Sequence, residues 1–163
     1  MLYEMNDKDW QDLQQELIAQ FRLGPFTAHD HDHWRRVEAY GIYLAQANQA
    51  DLEVVRLFAW IHDSQRFEES HDPEHGQRAA DFAERRCSFL EPDRLALLMD
   101  ACRDHEKGFT SQDATIGACW DADRLDLDRV GRVPDPDYLS TQTGKTLALM
   151  RANDRRRLVG VNP

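Results

Sequence analysis

The stretch Leu57-Phe58-Ala59-Trp60-Ile61-His62-Asp63-Ser64-Gln65-Arg66 ends an apolar helical run in an adjacent histidine and aspartate. Val54, Leu57, Phe58, Ile61 and His62 recur at i, i+3, i+4, i+7 and i+8, so His62 continues the buried stripe of a helix and Asp63 lies at its edge. A carboxylate carried into an apolar interior has to be paired, protonated or bound to a metal, because leaving it alone and charged costs on the order of several kcal/mol. The pair by itself leaves two readings open, a mutually satisfied hydrogen bond or part of a polar site. The rest of the chain has to choose.

Towards the N-terminus, Thr27 to Val37 packs three of the seven histidines into five residues. Helix phase separates them. His33, Val37, Tyr40, Gly41 and Leu44 share a face, so His33 extends an apolar stripe, while His29 and His31 fall near the helix start as capping, supporting or solvent groups. Before them, a helix of packing residues spans about Asp7 to Arg22 (Trp10, Leu13, Leu17, Ile18) and stops at Gly24-Pro25. Beyond Asp63, a polar connection runs from Ser64 to Asp72, and Pro73 is placed to begin a fourth helix with His75, Ala79, Phe82 and Ala83 on one face. A fifth follows Glu91-Pro92, with Leu95, Leu98, Met99, Cys102 and His105 in phase, and ends at Gly108. A sixth starts near Gln112-Asp113 and carries Ile116, Cys119, Trp120, Asp123, Leu127 and Val130 inward. After the rigid turn Val133 to Asp137, a last helix is predicted from Thr143 to about Arg157, followed by a frayed tail, Gly160 to Pro163.

At 163 residues, 41% hydrophobic and 31% charged, the chain suits one domain, all-α, of six or seven helices. The motif-bearing core spans about residues 27–141, with the helices over about 7–22 and 143–157 packed on it. No apolar run is long enough to span a membrane, and Met1 to Asp7 has no basic segment leading into an apolar one; the expected setting is cytoplasmic, away from membranes. Cys87, Cys102 and Cys119 are an odd number without Cys-x-x-Cys spacing, and read as reduced core thiols. The net charge of -10 excludes duplex nucleic acid as the main partner but leaves room for a small phosphorylated ligand, which needs only a local positive site.

A histidine on an apolar face is ordinarily a satisfied core residue. Here five successive helices each place a histidine, an aspartate or both on the face that meets the core: His33, His62 with Asp63, His75, His105 and Asp123. In a helical bundle those faces converge. Four imidazoles and two carboxylates gathered at one point pair poorly with each other, whereas one or two divalent ions satisfy all of them. Nitrogen and oxygen donors suit manganese, iron, nickel, cobalt, zinc or magnesium.

His33 followed by Arg36-Val37, His62-Asp63 and Asp123 resembles the motif of the HD-domain superfamily of metal-dependent phosphohydrolases. Phe58 to Asp63, Asp72-Pro73-Glu74-His75-Gly76 and Cys119 to Leu127 resemble one bacterial branch of it, whose members are mostly of unknown substrate. The resemblance covers about His29 to Thr141 and implies a helical HD bundle. It implies that His33, His62, Asp63 and Asp123 hold a first metal, that Asp63 bridges to a second, and that His75 and His105 hold that second ion. The implied activity is hydrolysis of a phosphoester or phosphoanhydride of a small molecule such as a nucleotide, with Asp63 and His62 in the catalytic machinery; Arg66 beside them is a catalytic candidate of this chain's own, outside the family pattern.

One position departs from the pattern. HD-type deoxyribonucleotidases carry a glutamate three residues after the motif aspartate, where it handles the attacking water, and this chain has Arg66. Arg66 either clamps a substrate phosphate or pairs with Glu69 on the surface. Arg36, Lys107 and Arg124 flank ligand candidates and are expected either to bind phosphate or to form surface ion pairs. Asp121 and Asp126 are expected to orient ligands or cap local structure. Two other functions fit the same residues: a nucleotide-binding regulatory module without catalysis, and a two-iron oxygenase of the kind some HD proteins form.

Overall fold

A computed structural model describes residues 4–162. Among the described residues eight α-helices follow one another: α1 (Asp7–Gln20), α2 (His31–Asn48), α3 (Leu52–Ile61), α4 (His75–Arg86), α5 (Pro92–Asp104), α6 (Ala114–Arg124), α7 (Gln142–Ala148) and α8 (Ala152–Leu158). Two short 3-10 turns, Leu127–Val130 and Pro136–Tyr138, join α6 to α7, and no strand occurs among the described residues. Five of these helices start where short polar side chains take up free backbone N–H groups. Asn6 and Asp9 form a capping box, and Asp30, Asp51, Asp113 and Thr141 cap α2, α3, α6 and α7.

α3 is the axis of the fold. Seven of its ten residues, Val54, Val55, Leu57, Phe58, Ala59, Trp60 and Ile61, are buried, because α2, α5 and α6 pack around it. Periodicity anticipates one buried stripe; the surrounded helix buries the other side too. Such a helix is apolar almost all round, and its C-terminal end must deliver the next residues into the interior. His62 is its cap residue, and Asp63 follows it.

The expected six or seven helices become eight because the predicted last helix divides. Its chain leaves helical form between Ala148 and Ala152, and the reason is tertiary. The buried Arg155 donates to Leu125 O at the end of α6, to Met150 O in the break and to Asp128, which a straight helix would not allow. The sixth helix also stops earlier than its apolar phase suggests, at Arg124, so that Leu127 and Val130 lie in the 3-10 turn and Val130 is exposed. α1 stops at Gln20 so that Phe21 can turn back edge-on against Trp34. Pro73 falls in the turn ahead of α4, which starts at His75. Gly160 and Val161 close the last turn of α8, whereas Pro163, like Met1 to Tyr3 of the leader reading, lies outside the described residues.

All three cysteines are free and buried, and burial pushes their thiols up, that of Cys87 to about 12. They are core residues. No helix among the described residues is long and apolar enough to cross a membrane.

Candidate metal centre

The end of α3 meets the start of α2, the start of α4, the end of α5 and the end of α6. Gly76 permits part of this convergence: a Cβ there would lie 2.7 Å from Arg103 O and 2.9 Å from Cys102 O, so only a glycine lets the first turn of α4 touch the last turn of α5. His75 and His105 are thereby brought face to face, with their Nε2 atoms 3.0 Å apart. On the other side of Asp63, His33 and His62 face each other in the same way, Nε2 to Nε2 at 3.2 Å. All four imidazoles are buried.

Their outward nitrogens fix the tautomers. His62 Nδ1 lies against Phe58 O and Ala59 O, His75 Nδ1 against Asp72 O, and His105 Nδ1 against Cys102 O. A carbonyl can only accept, so Nδ1 carries the hydrogen in each ring and Nε2 presents a lone pair inward. His33 Nδ1 donates to Asp126 Oδ2 at 2.8 Å, and Arg36 Nε holds the same carboxylate at 2.8 and 3.0 Å. Burial would push Asp126 up, but the bonds from His33 and Arg36 outweigh it and hold the carboxyl below its ordinary range.

Asp63 sits between the two pairs. Its Oδ2 is 3.6 Å from both His33 Nε2 and His62 Nε2; its Oδ1 is 3.1 Å from His75 Nε2 and 3.4 Å from His105 Nε2. Asp123 Oδ1 completes the first group at 3.3 Å from His33 Nε2 and 3.6 Å from His62 Nε2. Burial opposes ionisation of both aspartates. Where the inward imidazole nitrogens also take up a proton they overcome it, and both carboxyls are then held well below the ordinary range, Asp63 by His62, His105, His29 and His75, and Asp123 chiefly by His33 and His62.

The donor chemistry fits divalent metal. Lone pairs facing each other at 3.0 and 3.2 Å repel, and a cation between them removes the conflict. Metal–nitrogen bonds of about 2.1 Å place neighbouring ligand atoms about 3.0–3.4 Å apart, which is the spacing seen on both sides of Asp63. Three overlapping groups have ligand atoms close enough to share an ion: His33, His62 and Asp123; His62, Asp63 and His105; and His75, His105 and Glu106. The six residues singled out in the sequence as metal ligands are thus brought together.

The proposed phosphate-binding cations are not all at this site. Arg66 is, at 2% exposure, so it is no surface ion pair. Its NH2 donates to the backbone O of Glu69, and NH1 faces Glu106 Oε1 at 3.3 Å. Arg36 is spent on Asp126, and Lys107 forms a half-exposed ion pair with Asp104. Arg124 lines the cavity beside the centre, but it donates to the carbonyls of Phe109, Tyr138 and His105. Asp126 orients His33, and Asp121 caps the α7 approach by accepting from Ser140 N and Thr141 N and Oγ1.

The cavity has a volume of about 810 Å³ and reaches Asp123, His29 and His105 at its base. Two of its residues, Glu106 and Arg129, were not anticipated, and a third, His29, takes the supporting role that stood open to it beside capping and solvent exposure. His29 donates from Nδ1 to Asp63 Oδ2 at 2.8 Å; its position ahead of α2 hid this from any phase argument. Glu106 directly follows His105, and that adjacency was the available signal. Arg129 comes back towards Asp123, to 3.9 Å, only because the 3-10 turn reverses the chain after α6. Opposite them, Glu69 accepts from Thr27 Oγ1 and from Ala28 N, which ties the His29 segment to the Ser64–Asp72 connection.

No protein-family model matches the chain, and no curated protein matches its sequence. A solved structure does match its fold: the crystal structure of a predicted HD superfamily hydrolase from an uncultured Thermotogales bacterium, with a TM-score of 0.69, over 95% of this chain and 93% of that one, at 24% sequence identity. The chain has the fold of that protein.

Proposed function

We propose that this chain is an HD-type metal-dependent phosphohydrolase that cleaves a phosphoester or phosphoanhydride of a small molecule, a nucleotide being the substrate class favoured. The observation that carries the reading is the pair of imidazole couples with lone pairs opposed across one shared carboxylate, at the base of a cavity sized for a small ligand. Divalent ions supply Lewis-acid chemistry in such a centre, making water a better nucleophile and drawing off charge from phosphoryl oxygens. The nitrogen-rich donor set suits manganese, iron, cobalt, nickel or zinc better than magnesium, which prefers oxygen.

The chain's own residues do the positioning. Asp126, braced by Arg36, keeps His33 in the tautomer and orientation that turn its Nε2 inward. Arg66 and Arg129 present guanidinium groups to the cavity, where a phosphoryl group docked beside Asp63 and Asp123 meets positive charge despite the acidic surface of the whole. Arg132, exposed on the cavity wall, is placed to meet a further anionic part of the substrate.

The test is phosphate release from nucleoside mono-, di- and triphosphates and p-nitrophenyl phosphate by protein loaded with manganese, zinc or iron. Turnover by the wild type, abolished together with metal content in Asp63→Ala while helix content is kept, is the expected result. Silence across the panel with metal bound, alongside tight nucleotide binding, would replace the enzyme by a regulatory module, and iron-dependent oxygen uptake would replace it by an oxygenase.

A further inference from the structure

Resting on the metal reading above, the two ligand groups differ in one close neighbour. Around His75 and His105 lies the guanidinium of Arg66, whose NH1 is 3.1 Å from His75 Nδ1 and 3.2 Å from His75 Nε2, and 3.9 Å from Asp63 Oδ1. It is in contact with a donor nitrogen of that group. The group is therefore already next to a permanent positive charge, since arginine does not lose its proton. Arg66 is also fixed: it is 2% exposed, its NH2 is bonded to Glu69 O, and its buried Nε has no partner among the described residues. The facing Glu106 is half exposed, and solvent screens what it offsets.

The His33, His62 and Asp123 group has no such neighbour among the described residues. Arg129 NH2 approaches the ligand oxygen Asp123 Oδ1 at 3.9 Å, farther than Arg66 lies from the His75 nitrogens, and its other nitrogens are committed to Ala28 O and Asp126 O. His29 takes up one lone pair of Asp63 Oδ2 and leaves the other. We infer that Arg66 makes the two halves of the centre unequal: His33, His62, Asp63 and Asp123 hold one ion tightly, and His75, His105 and Asp63 hold a second one only weakly. The built-in guanidinium supplies part of the charge that a second ion brings.

The experiment is titration of metal-free protein with Mn²⁺, with free ion followed by electron paramagnetic resonance, so that no substrate is needed. The wild type is expected to bind in two steps, the second weaker by about a hundredfold or more, as repulsion over ~4 Å in a poorly solvated site requires. Arg66→Gln is expected to narrow the gap to about tenfold or less. His105→Ala is expected to remove the weaker step and keep the tight one. Two equal steps in the wild type, an unchanged gap in a folded Arg66→Gln protein, or loss of the tight step in His105→Ala would each overturn the inference. Should Arg66→Gln fail to fold, the wild-type isotherm and His105→Ala decide it. A wild type that binds no Mn²⁺ overturns the metal reading as well, whereas a silent substrate panel beside two unequal steps counts against the hydrolase alone.

Discussion

The two ends of α3 both carry carboxylates into partly or fully buried surroundings, and they treat them in opposite ways. At the N-terminal end, Asp51 caps Val54 N and accepts from Arg94 Nε at 2.6 Å and NH2 at 2.8 Å, while Glu53 accepts from Arg94 NH2 and from Met5 N. These acceptors face hydrogens. Burial would raise Asp51, but its bond to Arg94 and that from Val54 N bring it below the ordinary range. At the C-terminal end, Asp63 takes one hydrogen, from His29 Nδ1, and otherwise faces four imidazole nitrogens, of His33, His62, His75 and His105, whose hydrogens point away. One end is complete as protein; the other is complete only with something added. A buried polar cluster that satisfies itself is structure, and one that leaves lone pairs opposed signals a ligand.

Substitutions at the two ends should therefore separate activity from stability. The largest effect expected is that of Asp63→Ala, which removes the carboxylate common to both ligand groups: metal content and turnover fall together, the latter about a thousandfold or more, with little change in melting temperature. A variant that lost its fold and kept its metal would erase the distinction. Arg94→Ala is the converse. It leaves Asp51 and Glu53 without their shared partner and should cost about 2–3 kcal/mol of stability, while metal stoichiometry per folded molecule stays the same. Chemical denaturation and elemental analysis of the same preparation read both.

A finer cut tests whether the C-terminal end depends on its outer supports. Asp126→Asn keeps the shape but weakens the acceptor for His33 Nδ1 and the partner for Arg36. Metal affinity should drop about tenfold to a hundredfold, with stability less affected. An unchanged affinity would mean that packing alone orients His33.

Much of this end was readable in the sequence because the ligands sit on helices, where phase reports direction. His33, His62, His75 and His105 were each legible as the polar residue on an apolar stripe, and Asp123 as an acid amid one. What was not legible lies where phase stops. His29 precedes α2, Glu106 follows α5, and Arg129 belongs to a 3-10 turn, so their approach depends on how the chain leaves its helices. Arg66 lies in the connection after α3, and the sequence left it between clamp and surface pair; only packing buries it. The break between α7 and α8 was hidden for a related reason, since Arg155 reads as one of a basic run, and only the free carbonyls of Leu125 and Met150 draw it inward.

The connection after α3 gives the smallest and most exacting test, because one carboxylate at the C-terminal end follows the rule of the other end. Asp72 accepts from Arg78 NH2 with both oxygens, at 2.7 and 2.6 Å, and from Phe67 N at 2.6 Å, while Arg78 lies over the Phe67 ring at 3.8 Å. Burial opposes its charge, but the bonds from Arg78, Phe67 N and Glu68 N lower its carboxyl from 3.8 to about 2. A carboxyl whose pKa is depressed in the folded state binds fewer protons there than when unfolded. It stabilises the fold fully above the unfolded value and ceases to do so as pH falls through the folded one. Because Arg78 is partly solvated, the contribution is about 1 kcal/mol after screening. Asp72→Asn should thus melt below the wild type at pH 6, and the gap should close between about pH 4 and pH 2. A gap that stayed constant with pH would mean that the substituted amide loses the backbone bonds as well, and that the connection is held by hydrogen bonding without net charge.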